Sequence, residues 1–372
     1  MPEASEDSQG KTKFQDARSR SRLLYLAIFC GVCTGFVAGQ YTYLWLHRPA
    51  HRHSGGPGAV SLRSLAAADP RLSAALPNSP LREILQKVAP SVTGRPQEVL
   101  IAISNYNLVR GGHLPIWLEG VRKAKVTNYL VVAIDAELRD YLVDNNFNVY
   151  YRDTTIDKVH EGTGDNHAIS ALKFKIILEF LQLGWNVLLS DVDIVVTSNP
   201  FDHLYRDHDV EAMSDGFDDA TAYGRVSGLD DASMGWARFA QGTEHLNLNS
   251  GCFYLVANSR TRSLMDRVAS RLAVERAWDQ SVFNQEIFYL AHGPYTAPNV
   301  TVRVMDINMF MNSKVLFKNV RHLPRGRQPK PVMVHINYHP DKLERMKAVV
   351  DYYLKGDAHA LESFPGGSEP GS

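Results

Sequence analysis

Asp191 and Asp193 stand two residues apart at the end of an apolar run, in "LLSDVDIVVTSNP" (residues 188–200). Three chemistries fit a strand that finishes in D-x-D. The pair can hold Mg2+ or Mn2+ against a diphosphate, since carboxylates and phosphate oxygens suit those ions and alternation turns both side chains the same way. The first aspartate can instead be a nucleophile toward phosphate, as in haloacid-dehalogenase phosphatases. Or both are solvated residues capping the "SNPF" turn. The phosphatase motif normally opens its domain, whereas here a long series of strands and helices comes first. "GLDD" (228–231) imitates its later acidic motif, but no matching lysine motif is visible.

A metal of this kind needs a further ligand. "PVMVHINYHPDKLERMKAVVDYYL" reads as a strand through "VMVHI" and a helix opened by Pro340. His335 and His339 are therefore not four apart on one helix, which excludes the zinc-protease geometry. His335, near the end of that strand, is a candidate metal ligand; the plain alternative is a hydrogen-bonded core histidine. Lys342 can meet diphosphate oxygens as a point charge. In "LNLNSGCFYLV", Asn249 and Ser250 can bond sugar hydroxyls and Gly251 permits close approach, although a simple turn fits as well. In "AWDQSVFNQEIF", Trp278 can pack or stack, while Asp279 and Gln280 can point at a sugar; a helix start with a favourably placed acid is the alternative. Of Asp215, Asp218, Asp219, Asp230 and Asp231, Asp215 is the one we assign to the site.

The elements around these residues alternate. "VLIAIS", "YLVVAID", "NVYYR" and "WNVLLSD" are strand-like and are separated by helical stretches, which predicts a mostly parallel sheet covered on both faces. The clearest helix spans 165–183, with Ile169, Leu172, Ile176 and Phe180 spaced by three and four, Asp165 as N-cap and Gly184 as stop. Ligands of open α/β sheets sit beyond the carboxyl ends of strands. Ser104, Asn105, Asp135, Asp191 and Asp193 all fall at such ends. "HEGTGD" (160–165) lacks the Lys-Ser/Thr of a P-loop and reads as a loop or a flap.

The chain has 372 residues and no formal net charge, with 44% hydrophobic and 22% charged residues. That length allows one large domain with appendages. The neutral balance gives no electrostatic reason to expect a nucleic-acid partner. Cys252 is the one cysteine beyond the N-terminal region and is expected to be an inert buried strand residue.

Residues 23–46 carry no charge over 24 positions, and a membrane helix needs about 20 apolar residues. Lys11, Lys13, Arg18, Arg20 and Arg22 precede that span, and Tyr41, Tyr43 and Trp45 gather at its far end. The expected plan is a cytosolic tail (1–22), a transmembrane anchor (23–46), a flexible lumenal stem (47–96) with a short helix near 80–89, a catalytic domain (97–365) and a disordered tail (366–372). Asn299-Val300-Thr301 is a glycosylation sequon if exposed.

Several stretches together carry a family resemblance: "DNHAISALKF", "LLSDVDIV", "NPFDHLYRDHDVEAMSDG", "LNSGCFYL", "AWDQSVFNQEIF", "FMNSKVLFK" and "VHINYHPDKLERM". The chain resembles plant and algal glycosyltransferase family 77, of the reduced-residual-arabinose arabinosyltransferase type. The resemblance implies a GT-A fold and a single-pass type II protein of the Golgi membrane. It implies transfer of L-arabinofuranose from UDP-L-arabinofuranose to arabinosylated hydroxyproline of extensin-like, hydroxyproline-rich glycoproteins, β-1,2-linked and with retained configuration. By the same resemblance Asp191 and Asp193 hold Mn2+ (or Mg2+) and UDP, with His335 as third ligand. Ser104, Asn105, Lys173, Asn249, Ser250, Gly251 and Lys342 are assigned to the donor, and Asp279, Asp215 and Gln280 to catalysis. A UDP-xylose-dependent xylosyltransferase and a non-catalytic lumenal scaffold are the alternatives.

Overall fold

The structure, a computed structural model, describes residues 79–153, 165–223, 225–230, 239–244 and 247–367, with only the backbone of 165–171, 225–230 and 239–244. The expected tail and anchor (1–46), the stem to residue 78, and residues 160–164 of the Gly-rich loop lie outside the described residues. Among the described residues no helix is long and apolar enough to cross a membrane.

A seven-stranded sheet forms the centre. Its strands are β1 (Glu98–Ser104), β2 (Tyr129–Ala133), β3 (Val149–Tyr151), β4 (Asn186–Ser190), β6 (Val210–Ser214), β9 (Leu248–Leu255) and β10 (Val302–Val304), in the order 10-6-9-4-1-2-3. β9 alone is antiparallel to its neighbours β4 and β6; the other pairings are parallel. A sheet covered on both faces needs apolar side chains on both, and β4 and β9 are buried along their whole lengths. Alternation in β1 sends Val99, Ile101 and Ile103 to one core and Leu100 and Ala102 to the other.

The first core is roofed by α1 (Pro80–Val88), α4 (Asp165–Gln182), α5 (Ser259–Leu272) and α6 (Asp279–Phe288). The second lies under α2 (His113–Lys123) and α3 (Ala136–Asp144). Ile176, Ile177, Phe180 and Leu181 of α4 are buried as the spacing predicts. Gly184 follows α4 in the left-handed region, φ 90°, and ends it. α1 corrects the expected boundaries. Its Leu81 and Leu85 are buried in the first core, and the Trp185 indole donates to the carbonyl of Ala89, which follows the helix (3.1 Å). The folded body therefore includes α1, which lies inside the segment expected to be stem. At the other end Gly367 is still buried, so the body outlasts the expected limit of 365.

Two smaller sheets complete the body. β5 (Ile194–Val196), β11 (Phe310–Asn312) and β12 (Met333–His335) form one, in the order 11-12-5. It packs with α7 (Lys342–Leu354) in a third apolar cluster around Val195, Phe317, Val334 and Met346. β7 (Arg225–Asp230) and β8 (Phe239–Glu244) pair as an antiparallel ribbon, so Gly228 to Asp230 of "GLDD" are strand residues. α7 begins at Lys342, and Pro340 sits in the turn before it rather than in the helix.

Candidate active site

β4 ends at Ser190, and the chain turns through Val192 and Asp193 before β5. The extended geometry expected across the D-x-D pair is thus broken by a turn, yet the two carboxylates still converge. β12 runs antiparallel to β5 with His335 opposite Ile194, which draws the imidazole back to the turn. Oxygens of Asp191 and Asp193 and a ring nitrogen of His335 all lie within 4.8 Å of one another. On the other side the backbone N–H of Asp191 donates to the carbonyl of Gly251 (2.7 Å), which seats β9 against the pair. Asp193 Oδ1 is 3.1 Å from His335 Nε2, and Lys342 Nζ donates to Asp193 Oδ2 at 2.7 Å.

The electrostatics are those of a cation site. Burial works against ionisation of Asp193, but His335 and Lys342 outweigh it and hold the carboxyl far below its usual range. Asp191 goes the other way. Burial, and then the like charge of Asp193, push it up, with Lys173 opposing. His335 is raised in spite of burial, by Asp193. Two carboxylates forced together in a buried place favour a positive occupant. His335 Nδ1 has no hydrogen-bond partner among the described residues. Two carboxylates and one imidazole are a donor set that fits Mn2+ or Mg2+.

The opposite wall comes from α4, β9 and α6. Lys173 is buried within an apolar helix, and its ammonium lies 2.7 Å from Asp279 Oδ2 and donates to the Ser250 carbonyl (2.8 Å). Ser250 Oγ donates to the same Asp279 oxygen at 3.0 Å. Burial alone would raise Asp279, but Lys173 and then Ser250 hold it below its ordinary value. Lys173 in turn is raised although buried, by Asp279 and Asp191. Asp215, just beyond β6, is a hub for three amides. Asn249 and Asn337 donate to its Oδ1 (2.6 and 3.1 Å), and Gln280 donates to its Oδ2 (2.7 Å).

These groups line one cleft of about 440 Å3. It gathers Lys173, Asp191, Asp193, Asp215, Asn249, Ser250, Gly251, Asp279, Gln280, His335 and Lys342 of the expected site. Asn249, Ser250 and Gly251 are strand residues of β9, not a turn before it. Ser104 and Asn105 do not line the cleft: Ser104 is buried with its hydroxyl donating to the Asn105 carbonyl (3.2 Å). Asp135 is structural, accepting from the N–H groups of Leu138 (2.7 Å) and Tyr106 (2.8 Å) as the cap of α3. Cys252 is buried, and burial pushes its thiol up, so it is inert.

Asn337 and Tyr338 line the cleft without having been expected there, and Trp278 joins them. The sequence signal was the polar pair between two histidines in "VHINYH". His113, first residue of α2, also lies within electrostatic reach of Asp193 and Lys342.

A mostly parallel sheet with an acidic pair at one strand end, an imidazole and lysines around one cleft, defines a GT-A-like nucleotide-sugar-dependent glycosyltransferase. Residues 124–348 match the family of nucleotide-diphospho-sugar transferases. The chain belongs to that family, within glycosyltransferase family 77, and is a glycosyltransferase of the arabinosyltransferase type. It is 47% identical to arabinosyltransferase RRA2 of Arabidopsis thaliana over 294 residues, which cover 78% of this chain and 67% of that one. It is 43% identical to arabinosyltransferase RRA1 of the same plant over 293 residues, 78% of this chain and 71% of that one. A UDP-D-xylose:L-fucose α-1,3-D-xylosyltransferase of Arabidopsis is 28% identical over 192 residues, half of each chain. Family membership sets aside the phosphatase reading.

Proposed function

We propose that the enzyme transfers L-arabinofuranose from UDP-L-arabinofuranose to an arabinose already carried on hydroxyproline of a hydroxyproline-rich glycoprotein, with a divalent cation and with retention. The observation that carries this reading is the meeting of Asp191, Asp193 and His335 with Lys342, in one cleft with Asp279, Gln280 and Asp215. The likeness to two arabinosyltransferases supports arabinose over xylose. The uncharged 23–46 stretch with its basic N-terminal flank supports a type II place in the Golgi membrane.

Asp191, Asp193 and His335 would hold Mn2+, which supplies Lewis-acid neutralisation of the diphosphate. Lys342 adds a point charge toward the same oxygens. Lys173 fixes Asp279 from beneath, and Asp215 fixes Gln280, so both face the sugar with little freedom. In the transfer, the bond between the anomeric carbon and the β-phosphate oxygen breaks. A new bond forms from that carbon to the acceptor oxygen, and the acceptor proton passes to the departing diphosphate. Preorganised charges in a partly dry cleft lower the barrier for that departure.

UDP release from the full-length chain, measured with a panel of UDP-pentoses with and without Mn2+, tests the reading. Metal-dependent release, highest with UDP-L-arabinofuranose and lost in Asp193→Ala, is expected. Release highest with UDP-xylose would make the enzyme a xylosyltransferase. A folded protein that neither binds UDP nor releases it would make it a scaffold.

A further inference from the structure

Trp278 and Tyr338 both line the cleft, and the Tyr338 hydroxyl donates to the Asp215 carbonyl at 3.5 Å. Both are unusually open for large aromatics, at 66% and 37% exposure. Tyr338 is held out on purpose. Its neighbours Asn337 and His339 are buried, and Asn337 is fixed at both ends, donating to Asp215 and accepting from the Ser313 N–H (3.2 Å). Tyr338 itself has φ 68°, a left-handed conformation that a residue with a large side chain adopts only under constraint from its surroundings. The ring is further set by the Lys314 ammonium, 4.1 Å from its centroid. Trp278 immediately precedes Asp279, whose carboxylate is tied to Lys173, and both residues line the cleft.

The same cleft offers Asp215, Gln280 and Asn337, a carboxylate and two amides. The lysines Lys173 and Lys342 are engaged with Asp279 and Asp193. Exposed aromatic rings, a carboxylate and amides in one cleft suit a polyol. Its C–H face lies on the rings and its hydroxyls reach the polar groups.

We propose that Trp278 and Tyr338 are the acceptor subsite, taking the C–H face of the neutral sugar ring that is to be extended. This rests on the reading of the cleft as a site of glycosyl transfer. The test uses the full-length chain in two parts. In steady-state kinetics, Trp278→Ala and Tyr338→Ala are expected to raise the acceptor KM about tenfold. UDP affinity by calorimetry should stay within about twofold, and Trp278→Phe and Tyr338→Phe should restore most of the loss. In saturation-transfer NMR, the protein loaded with UDP and Mn2+ is given methyl β-L-arabinofuranoside as probe. Transfer to the ring C–H protons is expected, and its loss in Trp278→Ala but not in Trp278→Phe. Absent turnover with every UDP-pentose would sink the transferase reading, while the NMR measurement still decides on the subsite. Unchanged acceptor KM and unchanged NMR transfer in both folded alanine variants would overturn it.

Discussion

The Cβ that Gly251 lacks would stand 2.4 Å from Oδ2 of Asp191 and 2.7 Å from Cε1 of His335. No carbon is tolerated at those distances, so Asp191 and His335 can stand as they do only because this strand position has no side chain. Gly251→Ala must displace one of these two side chains. We expect the variant to fold and to lose about 100-fold in Mn2+ affinity, on the scale of disturbed metal-site support. Mn2+ titration calorimetry, with circular dichroism as the fold control, checks it. Affinity kept within error would mean that the two ligands do not act together.

Asp215 is one carboxylate serving three amides, and each of them stands on a different segment. Asp215→Asn puts an N–H2 where an acceptor is needed, so at least one of Asn249, Gln280 and Asn337 loses its partner. Misplacing groups around a reacting sugar by about 1 Å costs on the order of 100-fold in rate. The expected result is that loss in kcat with UDP affinity little changed. An equal loss in UDP affinity would make Asp215 a donor-binding residue instead.

The Lys173–Asp279 pair is almost fully buried, with side chains 6% and 10% exposed. Breaking such a pair strands one charge, at a cost of about 3–5 kcal/mol. Lys173→Met should therefore unfold at clearly lower urea concentration. The double variant Lys173→Met, Asp279→Asn should recover much of that stability while staying inactive. If the single and double variants are equally stable, the pair carries no coupling.

His339 gives the fold a pH dependence of defined sign. It is buried, edge-on to Phe317, and among the described residues neither ring nitrogen has a hydrogen-bond partner. Burial, then the charge of Arg345, lowers it to about 4. The unfolded chain thus binds the proton more tightly than the folded one. The stability is intact above about pH 6.5 and falls by up to about 3 kcal/mol as pH drops toward 4. Urea midpoints across that range should show the fall in the parent and a flatter profile in His339→Leu. Parallel profiles would mean that His339 is not the group responsible.

Much of this was legible in the residues, for physical reasons. The sheet announced itself because strands buried on both faces must be apolar throughout, as in "VLIAIS" and "NVLLS". The acidic pair announced itself because a charge at the end of such a run needs a cause. The direction of β9 was not legible: "LNSGCFYL" reads as a strand either way, and only the sheet makes it antiparallel. Its reversal brings Asn249, Ser250 and Gly251, at the start of a strand, to the rim where the other strands end. β5, β11 and β12 are three residues each, too short for a period to show. The polar pair in "VHINYH" marked Asn337 and Tyr338, but the left-handed backbone of Tyr338 was not legible, since nothing in a tyrosine signals it. Ser104 and Asn105 were expected from strand-end logic alone, which marks a rim but not which part of it is used.

Helix α1 decides where this enzyme can be cut. Composition invites a boundary at Gln97, where the Pro- and Gly-rich stretch gives way to strand. A shortened enzyme beginning there would leave the sockets of Leu81 and Leu85 open and the Trp185 indole without its carbonyl. It would be sticky and short-lived in solution, and its silence in an assay would be a fault of handling rather than of chemistry. Trimming just before Pro80 keeps the plug, so the useful soluble enzyme is longer than its composition advertises.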